Sequence, residues 1–404
     1  MPEAVIVSAV RSPIGRARKG SLRTMRADDI AAQMVLAALS KVPELDPAEV
    51  EDLMLGCGLP EGESGQNLAR VVAIRAGLDT LPGATVTRFC ASSLQTTRMA
   101  LHAIRAGEGD VFISAGVEAA SRLGIGRSDD ETRNPWFQDA WERSALRAAG
   151  GNGTWEDPRA SGHVPDIYIA MGQTAENVAQ LRGISRESQD RYAVRSQNRT
   201  EKAQAAGFWD REIAPLTLPD GTVVARDDSP RPGTTLEAVS QLEPAFRPDG
   251  TVTAGNACPL NDGAAALVIM SDKRAKELGL TPLARIVSTG VSALSPEIMG
   301  LGPVEATRQA LARAGMGIGD VDLVELNEAF AAQVIPSMED LGISEDKLNV
   351  NGGAIALGHP WGMTGARITA TLLNSLEYYD KEIGLETMCV GGGQGMAMVI
   401  ERLS

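Results

Sequence analysis

Histidine is the scarcest chemically useful residue in this chain of 404 residues, occurring only at positions 102, 163 and 359. That scarcity limits the candidate bases. Cysteine is almost as rare, at positions 57, 90, 258 and 389, with no C-x-x-C pair and no metal-ligand spacing. In a chain this long, such cysteines read as free thiols of a reducing cytosol, which makes a cytoplasmic protein the expectation. No apolar run approaches the ~18 residues a membrane helix needs; "GAAALVIM" (263–270) is far too short. The opening "MPEAVIVSAVRSPIG" is acidic and then strand-like, so no signal peptide is evident. Basic charge is also in deficit: 38 Lys and Arg against 52 Asp and Glu leave a net charge of −14. That argues against a nucleic-acid partner, which needs a basic face, and leaves room for a small anionic ligand where arginines cluster. What remains is an ordinary α/β composition, 43% apolar and 22% charged, long enough for two or three domains.

Two pairs of segments resemble each other. "ALSKVPELDPAEVEDLMLG" (38–56) and "ALARAGMGIGDVDLVELNE" (310–328) both read as a helix end, a turn and the start of a strand. "GDVFISAGVE" (109–118) matches "LETMCVGGG" (385–393) at a similar offset of about 270 residues, which suggests a duplicated βα unit. Strands alternating with helical patterns in both halves favour a layered α/β architecture. Between the halves the texture changes. Tryptophans 136, 141 and 155, many turn residues and a helical stretch from about Asp166 to Ala206 suggest an insertion. Core-strand texture returns in "TVTAGNACPLNDGAAALVIM" (251–270). The domain division expected is 1–120 plus 250–272 for the first half, 121–249 for the insertion and 273–404 for the second half. Arg182, Arg186, Arg191, Arg195, Arg199, Lys202, Arg211, Arg226, Arg231 and Arg247 concentrate in the insertion. They read either as a solvated helical face or as a site for a phosphorylated ligand.

Three positions carry candidate chemistry. In "TVTRFCASSLQTTRMALHAIRAGEGD" (85–110) a β-branched run leads to Cys90, and helical spacing follows until Gly107. A thiol at a helix start is expected to favour thiolate and to lie near amides that can hold an oxyanion; a buried structural cysteine is the alternative. His359 stands between Gly358 and Pro360 in a turn before another helix, at nearly the offset the repeat assigns to Cys90. His102, within a helix, and His163, in the insertion, read as structural. In "ETMCVGGGQGMAMVIERL" (386–403), Cys389 precedes a glycine turn followed by a strand, so this is not a dinucleotide fingerprint. The hairpin instead brings backbone N–H groups close to a ligand beside a second thiol. Two cysteines and a histidine converging suggest a nucleophile and two proton carriers, as in carbon–carbon bond chemistry on a thioester.

Along nearly its whole length the chain resembles the thiolases. The resemblance rests on "FCASSLQ" around Cys90, "TAGNACPLNDGAAA" (253–266), "NEAFA" (327–331), "GGAIALGHPWGMTGAR" (352–367) and "CVGGGQG" (389–395), in this order and spacing. It is nearest to bacterial degradative thiolases of sterol side-chain 3-ketoacyl-CoA breakdown. The resemblance implies a five-layered α/β fold with an inserted loop domain that binds coenzyme A. It implies CoA as co-substrate with no permanently bound cofactor or metal, 3-ketoacyl-CoA and acetyl-CoA as the other ligands, and a homodimer or homotetramer. By motif, Cys90 is the acylated nucleophile, His359 its base and Cys389 the acid/base at the α-carbon. Asn327 would hold a water that forms one oxyanion hole with His359, and the N–H groups of Cys90 and Gly391 would form the other. Arg231 in "RPGTT" matches a contact to the adenosine-phosphate end of CoA, Met171 a pocket wall, and Cys258 a position lining the thiol tunnel.

Departures from the family pattern are Thr87 where asparagine is usual, Cys258-Pro259 where many members have Ser-Gly, and Trp361 in place of a smaller residue. None removes a catalytic group. The competing readings are a biosynthetic acetoacetyl-CoA thiolase, a decarboxylating ketosynthase, and a noncatalytic acyl-CoA or sterol carrier on the same fold. The ketosynthase would need histidine or asparagine where Cys389 stands, and the intact Cys90, His359 and Cys389 argue against the carrier.

Overall fold

The computed structural model describes residues 2–124, 133–150 and 153–404; residues 125–132 and 151–152 of the expected insertion lie outside them. Among the described residues ten strands form one mixed sheet. Nine of them order it: β1 (Ala4–Arg11), β2 (Asp52–Cys57), β3 (Gly83–Val86), β4 (Val111–Ala119), β5 (Asn261–Ser271), β6 (Ala284–Ala293), β7 (Leu323–Leu326), β8 (Ile383–Val390) and β9 (Gln394–Arg402). Their spatial order is β7-β8-β9-β6-β1-β5-β4-β2-β3. The order reads the same from both ends apart from the extra edge strand β3. In the first half β2 runs parallel to β4, which pairs antiparallel with β5, which pairs antiparallel with β1. In the second half β7 is parallel to β8, β8 antiparallel to β9, and β9 antiparallel to β6. Among the described residues, the strand pairing that joins the two half-sheets is Val5 with Arg285 and Ile6 with Ala284.

The duplication seen in the sequence is present in the fold. Helix α1 (Ala27–Ser40), a 3₁₀ turn (Pro47–Glu49) and β2 correspond to a later helix (Gly302–Ala314), a 3₁₀ turn (Ile318–Asp320) and β7. Every residue of β4 and β5 is buried. Their apolar runs lack alternation because helices cover both faces of the sheet. Three apolar cores account for five layers. One lies between α1 and the first half-sheet, and one between the Gly302–Ala314 helix and the second. The third lies between the half-sheets and is filled from α2 (Ser92–Ala106) and the Thr364–Tyr378 helix. These central helices touch closely: a Cβ on Gly365 would sit 2.2 Å from the Leu94 amide nitrogen.

The helical stretch expected from about Asp166 to Ala206 is two helices, α3 (Met171–Arg182) and α4 (Arg186–Ala205). Gly183, at φ +63°, ends the first, and the Ser185 hydroxyl accepts from the Ser188 amide to cap the second. Most of the arginines singled out there are paired. Arg182 meets Asp340, Arg186 meets Asp190, Arg191 meets Glu187, Arg195 meets Glu345 and Arg211 meets Glu377. Arg247 is buried and donates to Gln173, Gln180 and Asn177. The first five match the reading of a helical face interspersed with acids, whereas Arg247 is buried and structural.

Candidate active site

Cys90 lies in a 3₁₀ turn (Phe89–Ala91) that feeds directly into α2. The turn is tight enough to hold Phe89 at φ +42°, a left-handed conformation that non-glycine residues seldom adopt. The Phe89 ring is 43% exposed and leans over the Gly391–Gly392 backbone. Beyond α2, the helix stops at Gly107, φ +76°, where the sequence pattern ends it.

The hairpin after Cys389 turns at Gly391, Gly392 and Gly393 and returns as β9, with Val390 opposite Gln394. Gly392 and Gly393 have φ of +77° and +75°, which explains the glycines. The backbone amides of Gly391 and of Cys90 itself favour the ionised Cys90 sulfur. The same two N–H groups are available to an oxyanion on a carbon bonded to that sulfur. The expectation that the helix start favours thiolate is reversed at rest. Burial pushes the Cys90 thiol up to about 11, with the two amides only partly offsetting it and Glu118 adding to it. Cys389 is buried and pushed well above the usual thiol range by burial, then by Cys90 and Cys258. Cys258 is raised by burial and by Cys90. The three sulfurs therefore share one electrostatic neighbourhood.

His359 is buried in the turn before the helix Thr364–Tyr378. Its Nδ1 lies 2.7 Å from the Thr364 hydroxyl, which itself donates to the Pro360 carbonyl at 2.8 Å. A hydroxyl has one proton, so Nδ1–H must be the donor to Thr364. This tautomer leaves the Nε2 lone pair free, facing the Asn327 amide nitrogen at a long 3.4 Å. Burial, and then the charge of Arg367, pulls His359 down to about 3, so the imidazole is neutral. At rest, Cys90 is therefore a neutral thiol and His359 a neutral imidazole.

Asn327 follows β7, held by its amide on the Thr387 carbonyl at 3.0 Å. Its Oδ1 is buried without a hydrogen-bond partner among the described residues. Met171 packs on the apolar cluster that contains Cys389, Ala257 and Phe330. The Cys258 amide donates to the Ala329 carbonyl at 3.0 Å, tying it to the "NEAFA" loop. Arg231 is exposed, its backbone amide held by Gln197 at 3.0 Å.

Sequence reasoning missed Glu118. It closes β4, is buried, and accepts from the amides of Gly58 (2.8 Å), Leu59 (3.3 Å) and Gly362 (2.9 Å). The carboxylate bridges the end of β2 to the turn that carries His359, and Ser93, three residues after Cys90, accepts the Ala366 amide at 2.9 Å. An acid ending an otherwise apolar strand was the available signal. Thr364 and the buried Arg367 were also missed, though both lie inside a quoted motif.

The family model described as "Thiolase, N-terminal domain" matches residues 4–273, and "Thiolase, C-terminal domain" matches 280–402. The chain belongs to the thiolase family. A 3-ketoacyl-CoA thiolase from Aeromonas salmonicida is 44% identical over the full length of both chains, and one from Cronobacter sakazakii is 43% identical over the same span. The solved structure of the acetyl-CoA acetyltransferase of Bacillus anthracis superposes with a TM-score of 0.85 at 39% identity, covering 100% of this chain and 99% of that one. As a thiolase the protein is an acyltransferase of acetyl-CoA metabolism, and the five-layered reading of its fold agrees with that neighbour.

Proposed function

We propose that the enzyme cleaves 3-ketoacyl-CoA with CoA, giving acetyl-CoA and a shortened acyl-CoA, reversibly and through an acyl-Cys90 intermediate. The observation that carries this reading is the pair of backbone amides, from Cys90 and Gly391, that favour the ionised Cys90 sulfur. His359 Nε2 takes the thiol proton and the sulfur attacks the 3-keto carbon. The alkoxide that forms on that carbon is held by the two amides. The C2–C3 bond then breaks, and its electrons pass into the thioester enolate of acetyl-CoA. That enolate oxygen meets the protonated His359 and a water held by Asn327, while Cys389 protonates the α-carbon. Incoming CoA gives its thiol proton to the Cys389 thiolate and attacks the acyl-Cys90 carbonyl; the bond to Cys90 breaks, the shortened acyl-CoA leaves, and the Cys90 thiolate recovers its proton from His359.

The 121–249 insertion is assigned to CoA, with Arg231 at the adenosine-phosphate end and Met171 and Cys258 along the acyl and thiol passage. The exposure of Arg231 and the place of Met171 beside Cys389 support this. A cytoplasmic homodimer or homotetramer completes the proposal. The substrate is taken to be a bulky 3-ketoacyl-CoA, with a steroid side chain as the limiting case. The acetyltransferase neighbour favours a second reading, acetoacetyl-CoA turnover. Comparison of kcat/KM for acetoacetyl-, long-chain and steroid-side-chain 3-ketoacyl-CoAs decides between them: a bulky substrate should win, and a clear preference for acetoacetyl-CoA overturns that choice.

A further inference from the structure

Beneath the site lies a group of buried charges that the chemistry above does not use. Glu325 on β7 and Glu386 on β8 are direct neighbours in the parallel ladder, both buried. Arg367, on the helix Thr364–Tyr378 (α5 hereafter), is 1% exposed, and its Nη1 is 3.9 Å from Glu325 Oε2. None of its guanidinium nitrogens has a hydrogen-bond partner among the described residues. Each member sits on, or directly beside, an element that positions a residue of the site. Glu325 is two residues before Asn327, Glu386 three before Cys389, and Arg367 one turn after Thr364, which orients His359.

The hydrogen bonds fix the protons. The Thr369 hydroxyl, on α5, lies 2.9 Å from the Gly365 carbonyl and 2.9 and 3.0 Å from the two oxygens of Glu386. The carbonyl can only accept. With the threonine proton spent on that bond one turn back along the helix, Glu386 must donate, so it carries a proton. The logic repeats that of Thr364, whose proton goes to Pro360 and whose oxygen receives His359 Nδ1–H. Charge points the same way. A buried guanidinium stays ionised and needs one counter-charge, which Glu325 supplies at close range. A second carboxylate beside it would be uncompensated.

The other charges facing the group are already engaged or lie farther off. Glu212 pairs with Arg11 and accepts from Thr371 and Asn374. Glu328 accepts from Tyr192, Ser196, Asn349 and the Ile355 amide, and Arg199 donates to the Leu348 carbonyl. Burial pushes Glu386 well above the usual carboxylate range, with the charge of Glu325 adding to it and that of Arg367 opposing.

We propose that Glu386 is a neutral positioning acid, locked between Thr369 and the Glu325–Arg367 ion pair, and that this brace sets the relative placement of Asn327, Cys389 and His359. The placement half rests on the catalytic roles assigned above; the protonation half does not. Infrared difference spectra of the whole enzyme near neutral pH test the latter. Wild type minus Glu386→Gln should show a carboxylic-acid C=O band, and its absence overturns the protonation. Thiolysis kinetics test the former. Glu386→Gln, an isostere of the protonated acid, should stay close to wild type. Glu386→Ala should lower kcat roughly 10–100-fold with KM little changed, as expected when reacting groups shift by a fraction of an ångström. Should Glu386→Ala not fold, the glutamine variant still decides: a loss of kcat in it despite native unfolding behaviour overturns the brace. Wild-type kcat in a folded alanine variant also overturns it. Acyl transfer to Cys90, read as a mass increase, is measured in each variant. If wild type itself takes no acyl group, the catalytic assignment has failed rather than the brace.

Discussion

The two halves of the sheet use one frame for opposite electrostatic purposes. The same sequence offset separates Thr97 from Thr369 and Ser114 from Glu386. In the first half the Thr97 hydroxyl donates back to the Ser93 carbonyl at 3.0 Å and meets the Ser114 hydroxyl at 2.9 Å. The neighbour of Ser114 on β2 is Met54. In the second half Glu386 replaces the serine, Glu325 stands where Met54 does, and Arg367 lies above them. One half is braced here by neutral hydroxyls and carries Cys90, the proposed nucleophile. The other is braced by ions and carries His359 and Cys389, the proposed base and second proton carrier. At these matching positions a duplicated fold keeps its backbone and hydroxyl geometry while the second half alone adds charge.

The sharpest break between the halves comes from their two thiols. Cys90→Ala should lose activity and take up no acyl group. Cys389→Ala should still acquire a mass increase from a simple acyl-CoA, while exchange of acetyl-CoA α-hydrogens with deuterated water falls by roughly 10²–10⁴. Both variants must first match wild type in cooperative unfolding. Wild-type exchange in folded Cys389→Ala would remove the proton carrier from the mechanism. Alkylation separates the thiols without mutation. Iodoacetamide should reach Cys90 before the other three, with substrate protecting. Its rate should climb about tenfold per pH unit above neutrality, because the thiol ionises only near 11. First labelling of Cys57 or Cys258 with activity retained would refute the assignment.

Next in size is Thr364→Val, which removes the acceptor for His359 Nδ1–H and frees the other tautomer. Activity should fall about 10–100-fold, as when the partner fixing a functional imidazole is lost. Unchanged kcat across pH would show that Thr364 does not select the tautomer.

These residues also mark how far the sequence could be read. The repeat, Cys90, His359 and Cys389 were legible because each is announced locally, by matching segments or by glycine turns of fixed conformation. Thr364, five residues from His359, was within reach and was passed over. Glu118 was not legible, because its partners are distant in sequence: it meets Gly58 and Gly362 only after the sheet has formed. The low thiolate content of Cys90 was misread for a related reason. A helix start is visible in sequence, whereas the burial that outweighs it is not. The break at Gly183 was visible and was passed over, since the glycine is followed by the Ser185 cap.

The halves should also differ in the sign of their pH response. Glu118 is raised to about 7, chiefly by burial, from an unfolded value near 4.3. The folded state then holds a proton that the unfolded state has released, so this stability is complete at low pH and is lost as pH rises toward 7. His359 is lowered to about 3 from near 6.5. Its contribution is complete above 6.5 and is lost as pH falls toward 3. Glu118→Gln should cost about 1–3 kcal/mol through the mismatched amides and flatten the alkaline-going decline. His359→Ala should flatten the acid-going decline instead. Denaturant unfolding from pH 4 to 8 measures both, and parallel slopes in the two variants would defeat the contrast.

The smallest expected effect tests the neutral brace of the first half. Ser114→Ala removes a hydroxyl that meets Thr96 and Thr97 but leaves Thr97 bonded to Ser93, so no buried donor is stranded. The cost should be about 0.5–1.5 kcal/mol, the usual net worth of such a bond. Because no ionisable group is involved, the loss should be the same at pH 5 and pH 8, and kcat should not change. The matching change in the second half, Glu386→Ala, removes a proton-bearing group beside Glu325 and Arg367 and should act on kcat and on the pH slope of stability together. If Ser114→Ala altered kcat as much as Glu386→Ala does, the effect would belong to the shared frame, and the charge of the second half would have no special part in placing Cys389.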